Sequence, residues 1–195
     1  MAHHRAALIA VLIVLAGIAG ARAQAFKAPS AVSAVEAVPY LSTLLAAVKA
    51  ANLTDALGPS FNGTLIAPQD SGFANLTSIL GLSAPTDLLS RNNSGLLLQV
   101  LQYHVIPGVA LLPQRLQTGQ RLPTLVGGAQ IAVDRRVPGL THLVGGTPYN
   151  VATLLGYQAV RGDSAVVYVT DQVLLPADVI NSNPELTAVF QRLGR

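Results

Sequence analysis

The sequence predicts an α+β fold in one domain, and three observations carry that prediction. In the first half of the 195-residue chain, apolar residues recur at helical spacing. From residue 103 onward the segments are short, β-branched and punctuated by glycine, as strands are. The two classes are segregated rather than alternating, although one strand-like run, "GTLIAP" at 63–68, stands among the helices. The chain has no cysteine, so stability must come from a hydrophobic core, and its length suits a single one.

The elements follow in order. "PYLSTLLAAVKAAN" places Leu41, Leu44, Leu45 and Val48 at i, i+3, i+4 and i+7 behind Pro39, an amphipathic helix with a favourable start. "LTDALGPS" reads as a second, short helix capped by Thr54 and stopped at Gly58-Pro59. Asp70 is placed to cap a helix carrying Phe73 and Leu76, and "APTDLLS" reads as another short helix. "SGLLLQVLQYH" sets Leu97, Val100, Leu101 and His104 on one helical face, with Tyr103 onward turning into a strand. Beyond it, Ile131 and Val133 alternate behind Gly127-Gly128, which fits a hairpin turn. Val167 and Val169 alternate with Val166 and Tyr168. The ending "NPELTAVFQRLGR" reads as a loosely attached helix.

The N-terminus reads as a secretory signal peptide. Arg5 precedes an uncharged run over 6–21, and Ala21-Arg22-Ala23 has the small-x-small exit of a cleavage site, so residues 1–23 are the expected leader. The run is shorter than the ~18 apolar residues of a spanning helix, so no membrane span is expected after cleavage. An Ala-, Ser- and Val-rich stretch over 25–38 reads as a tether, with the domain proper set at 32–178 behind a 24–31 link and a tail at 179–195. Four glycosylation sequons, at Asn52, Asn62, Asn75 and Asn92, fit the same secreted, extracellular route. Asparagine, serine and threonine also favour turns and caps, and both readings can hold together.

Composition excludes several function classes. Of 12 basic residues against 9 acidic ones, Arg5 and Arg22 belong to the leader, so the remainder is near neutral. Charged residues make up 11% of the chain against about 25% in typical globular proteins. In sequence the sole basic cluster is Arg135-Arg136, too sparse to neutralise a run of phosphates, so nucleic acid is not an expected partner.

No enzyme constellation emerges. Beyond the leader the histidines are His104 and His142, acids are scattered singly, and no Gly-x-Ser-x-Gly elbow or phosphate loop is present. Neither a metal nor a cofactor is expected. With no tryptophan, four phenylalanines and five tyrosines, the chain is poor in sugar-stacking rings, which weighs against the alternative of a small-ligand or polysaccharide-binding module. His104 lies among Leu101, Val105 and Ile106, so it reads as a buried histidine tying a helix end to the strands; Tyr103 and Asp171 are read as structural in the same way.

Three stretches together resemble the fasciclin domain. "TLIAPQDSGF" at 64–73 is similar to its first signature, "LLLQVLQYHVIPG" at 96–108 to its Tyr-His stretch, and "AVVYVTDQVLLP" at 165–176 to its closing strand. Gln69-Asp70-Ser71 departs from the usual Thr-Asn/Asp-Glu/Ser but keeps Asp70. The resemblance implies a β-sheet wedge or sandwich with helices packed around it. It also implies a non-enzymatic extracellular role in adhesion or matrix organisation, with a protein, a cell-wall or matrix glycan, or the chain itself as partner. By motif match it would place adhesion contacts at Tyr103 and His104.

A second candidate contact is the tripeptide Arg161-Gly162-Asp163, a sequence that some adhesion receptors read. It falls where a turn precedes the closing strand. Glycine supplies positive φ there and aspartate caps locally, so the turn alone explains both residues.

Overall fold

The computed structural model describes residues 28–160, 162 and 164–193. The expected leader, the start of the tether, Arg161 and Asp163 lie outside the described residues. The fold is α+β, as expected. The described residues form seven strands: β1 (Gly63–Pro68), β2 (Val105–Pro107), β3 (Arg121–Pro123), β4 (Gln130–Asp134), β5 (His142–Val144), β6 (Val151–Ala159) and β7 (Ala165–Thr170). They form a mixed sheet in the order β2-β1-β7-β6-β5-β4-β3. Among the seven described strands β1 and β7 are the parallel pair, with Gly63 opposite Ala165 and Pro68 opposite Thr170.

This central pair is covered on both faces, which explains its continuous apolar sequence. Side chains alternate across a strand. Leu65 and Ala67 of β1, with Ala165 and Val167 of β7, join a core shared with the helices. Ile66, Val166 and Tyr168 point the other way, into a second core with Ile106, Leu122, Ile131, Val133 and Leu143. The second core is enclosed because the sheet folds back on itself. Leu125, just past β3 at one edge, donates its N–H to the carbonyl of Val105 in β2 at the other, 3.0 Å away. Each fully buried aliphatic side chain there contributes about 1.5–3 kcal/mol relative to exposure.

The helices are α1 (Ala31–Glu36), α2 (Ser42–Ala50), α3 (Asp70–Ile79), α4 (Ser94–Tyr103), α5 (Ala177–Ser182) and α6 (Pro184–Leu193). Helix α2 carries the predicted stripe, with Leu44 and Val48 buried and Leu41 buried in the 3-10 turn before it. Its end is a Schellman motif: Leu53 N–H donates to Val48 and Asn52 N–H to Lys49. Asn52 occupies the left-handed position at φ 60°, the conformation that asparagine tolerates best after glycine.

Four expectations change, that for Asp70 among them. The 51–60 segment forms turns rather than a helix capped by Thr54. With Gly58-Pro59 closing it, too few residues remain to extend the hydrogen bonds from Leu57 N–H to Leu53 and from Gly58 N–H to Asp55. Within the stretch read as a tether, α1 is a helix with Ala31, Val32, Ala34 and Val35 buried, because small apolar residues let it lie close to the sheet. The C-terminal helix α6 is anchored rather than loose, with Leu186 and Phe190 in the helical core.

Asp70 caps, but not its own helix. The carboxylate accepts from Thr43 N–H at 2.7 Å and from Ser42 Oγ at 2.8 Å, closing the exposed N-terminus of α2 across 27 residues of chain. Burial opposes its ionisation, and these hydrogen bonds outweigh that, holding the carboxyl below its usual range. A depressed carboxylate stabilises the fold above the unfolded pKa and loses that contribution as pH falls through the folded one. Asp70→Ala should therefore cost about 1 kcal/mol at neutral pH. Urea unfolding at pH 7 and again at pH 3 checks this, and a gap between parent and variant that fails to narrow in acid would refute the capping role.

Candidate functional site

The three signature stretches converge on one framework. His104 closes α4 and is 1% exposed. Its Nδ1 lies 2.7 Å from the carbonyl of Val100, and its Nε2 accepts from Leu174 N–H at 3.1 Å. A carbonyl can only accept and an amide N–H can only donate, so the ring is neutral with its proton on Nδ1. The backbone carbonyl of His104 also accepts from Ile66 N–H of β1 at 2.8 Å. One residue thus joins the end of α4, the central strand and the chain beyond β7. Burial pushes its pKa down to about 4, against a smaller upward pull from the Val100 hydrogen bond.

Tyr103 is 0% exposed, and its hydroxyl donates to the carbonyl of Gln130 at 2.8 Å, fastening α4 to β4. Burial raises its phenol to about 12. Neither ring of the Tyr-His pair presents surface to a partner in this fold. Asp171 lies just past β7; its Oδ1 accepts from Thr153 N–H at 2.6 Å and so holds β6 beside the end of β7.

Sequence reasoning missed two buried polar residues that complete this framework. Asn150 Oδ1 accepts from Leu175 N–H at 2.7 Å, and its Nδ2 donates to Val173 at 3.2 Å, so one amide satisfies both backbone partners on the far segment. Thr64 accepts from Leu111 N–H and donates to Val109. For Asn150, the paired glycines at 145–146 are the available signal, because they mark where two backbones touch.

The surface candidates lie elsewhere. Strands β6 and β7 form a hairpin closed by Val160 N–H donating to Ala165. Within its turn Gly162 is exposed at φ +81°, the left-handed conformation expected of that glycine. Arg161 and Asp163 flank it outside the described residues. The turn stands beside a sequon: Gly63 N–H donates to Ser164 at 3.1 Å, so a glycan on exposed Asn62 would be attached next to that strand end. Asn52, Asn75 and Asn92 are exposed too, and all four asparagines belong to the helical half.

Among the described residues, no group of three or more His, Cys, Asp or Glu is placed to hold a metal, and no helix is long and apolar enough to cross a membrane. A groove of about 220 Å³ runs between α3, α6 and the start of β6, walled by Leu76, Val151, Phe190 and Leu193 with Tyr149 and Asn75 at hand. It is smaller than the ~300–1,000 Å³ of usual ligand pockets.

Comparison with known proteins gives the same architecture. The fasciclin domain pattern matches residues 39–176, leaving α1 and the C-terminal helices as flanks. Protein sll1483 of Synechocystis sp. is 36% identical over 137 residues, 69% of this chain and 67% of that protein. The solved FAS1 domain pair from the insect cell adhesion molecule Fasciclin I superposes with a TM-score of 0.63 at 17% identity, covering 80% of this chain and 53% of that one. The chain therefore spans about half of that two-domain structure.

Proposed function

We propose, because this chain belongs to the fasciclin domain family, that it is an extracellular adhesion or matrix-organising module that works by surface contact and not by catalysis. Fasciclin domains are known from adhesion proteins. One observation carries the reading beyond kinship: the signature residues are consumed by the framework. His104 and Tyr103 spend their side-chain polar atoms, and Asp171 its Oδ1, on backbone partners inside the fold, and Asn150 outside the signatures does the same. A poised acid, base or nucleophile would need a free polar atom facing a cleft. What such a scaffold offers a partner is its surface, including the β6–β7 turn and the glycan sites.

The leader and sequons support secretion with N-linked glycans at Asn52, Asn62, Asn75 and Asn92. Partners on this reading are an extracellular protein, a matrix or cell-wall glycan, or a second copy. The groove keeps small-ligand binding as the alternative, in second place on account of its size.

Beads coated with the purified protein test the function. They are expected to cluster or to attach to matrix laid down by the producing cells, and beads that do neither overturn the adhesion reading. Asp163→Glu keeps the charge of the tripeptide while spoiling receptor geometry. Attachment is expected to survive it; attachment abolished with the fold intact would identify a working receptor motif. Intact mass before and after deglycosylation checks the secretory route. An unchanged mass counts against glycans, and a retained Met1 against cleavage after Ala23.

A further inference from the structure

Charge is divided unevenly over this molecule. Residues 105–160 carry Arg115, Arg121, Arg135 and Arg136 against one acid, Asp134. The other described residues carry seven acids against Lys49, Arg91 and Arg192. The fold gathers the four arginines into one corner. Arg135 N–H donates to Thr118 Oγ1 at 3.0 Å, and its Nη1 donates to the carbonyls of Leu116 at 2.8 Å and Pro113 at 3.3 Å. That ties the 135–140 loop against the segment bearing Arg115. Arg121 opens β3 opposite Ala132 of β4, on the exposed side of the sheet.

Arg136 is held by Asp134, with Nη2 at 2.6 Å from Oδ2, while its side chain remains 81% exposed. Arg136 hydrogen bonds keep that carboxyl down at about 2, so it stays ionised and cancels one positive charge. Arg115 and Arg121 are exposed and have no carboxylate partner among the described residues. Val137 and Leu140 stand exposed in the same loop. No sequon falls within 105–160, so N-glycans would leave this corner open.

We propose that this corner binds an acidic polysaccharide. The proposal rests on the adhesion reading and names its partner class. A guanidinium fork matches a carboxylate or sulfate in a bidentate manner. The exposed aliphatic side chains suit the C–H faces of sugar rings. A polymer that repeats its charge can engage a corner of modest net charge many times over, whereas a nucleic acid would call for a denser basic patch. The mode also removes the earlier objection about aromatics, because recognition runs through charge rather than through ring stacking.

The test uses the full secreted chain and two pairs of immobilised probes: polygalacturonate with its fully methyl-esterified form, and dextran sulfate with dextran. Retention is expected on at least one acidic member, not on its neutral twin, and should weaken steeply with salt. Arg115→Gln combined with Arg121→Gln should lower affinity about tenfold or more and flatten the salt dependence, with an unchanged melting temperature because neither side chain holds the fold together. Arg192→Gln, on α6, should change nothing. Equal retention by acidic and neutral probes overturns the proposal, as does a double variant that binds like the parent, or binding to anionic vesicles without binding to either acidic polymer. Bead clustering measured on the same double variant separates the two claims. Beads that cluster while the parent ignores both acidic polymers sink the polysaccharide proposal alone and leave adhesion standing.

Discussion

His104→Ala is expected to lower stability by about 3–5 kcal/mol, the sum of a cavity in a packed interior and an unpaired buried N–H at Leu174. For a domain of this size that is a melting-temperature loss on the order of 10 °C. The carbonyl of Val100 suffers less, since it also accepts from the backbone N–H of His104.

A pH effect accompanies the mutation. The folded imidazole titrates at about 4, below the ordinary 6.5. Between those values the unfolded chain binds a proton that the folded chain refuses, so stability is complete above pH 6.5 and falls as pH drops toward 4. The loss is on the order of 3 kcal/mol. Its main cause is burial, which disfavours the charged ring, and protonating Nε2 would also turn the acceptor of Leu174 N–H into a second donor facing it. His104→Gln keeps an acceptor without a titrating group and should be nearly flat over the same window. Urea unfolding of both proteins from pH 7.5 to pH 4.5 decides. Parallel slopes would mean that other groups govern acid sensitivity, and a His104→Ala protein that melts like its parent yet loses adhesion would make the residue a contact after all.

The second large effect is expected at Gly146. A methyl group there would collide with the backbone nitrogen of Ala177 and lie 2.6 Å from the Pro176 carbonyl carbon and 2.7 Å from the Ala177 Cα. These are main-chain atoms at the start of α5, and the same glycine donates its N–H to Leu175 at 2.8 Å. No rotamer can relieve the clash, so the 145–150 turn must withdraw and pull Asn150 away from Val173 and Leu175. Gly146→Ala should cost about 3 kcal/mol, at the upper end of ordinary overpacking. Gly156→Ala is the control: nothing lies within 4 Å of its added methyl group, and its effect should be slight. Thermal melts of the two variants side by side measure the difference, and similar melting points would dismiss the close approach.

Periodicity and punctuation made most of the architecture legible. The α2 stripe, the strand at 63–68, the hairpin behind Gly127-Gly128 and the segregation of helix from strand each follow from spacing over ten residues or fewer, where side-chain direction is dictated by the local backbone. The burial of His104 was equally legible, because its neighbours in sequence are its neighbours in the core. Where sequence reading went astray, the deciding partner was remote. Asp70 caps α2, 27 residues away in sequence, while a local pattern can only suggest its own helix. The 25–38 stretch looks like a tether because alanine and serine carry little apolar area; the burial of Ala31, Val32, Ala34 and Val35 depends on remote parts of the fold that pack against them. Asn150 gave no periodic signal, since its work is to satisfy two backbone groups 23 and 25 residues on.

The surface divides along the same line. Sequence alone determined the four sequons and the tripeptide turn, because each is a contiguous code of three residues. Tertiary structure alone decided that Asn62 stands beside that turn, that the Tyr-His pair faces inward, and that Arg115 and Arg121 join Arg135 and Arg136. The physical reason is that the field of a charge depends on distance through space, which strand register and loop hydrogen bonds set, and not on distance along the chain.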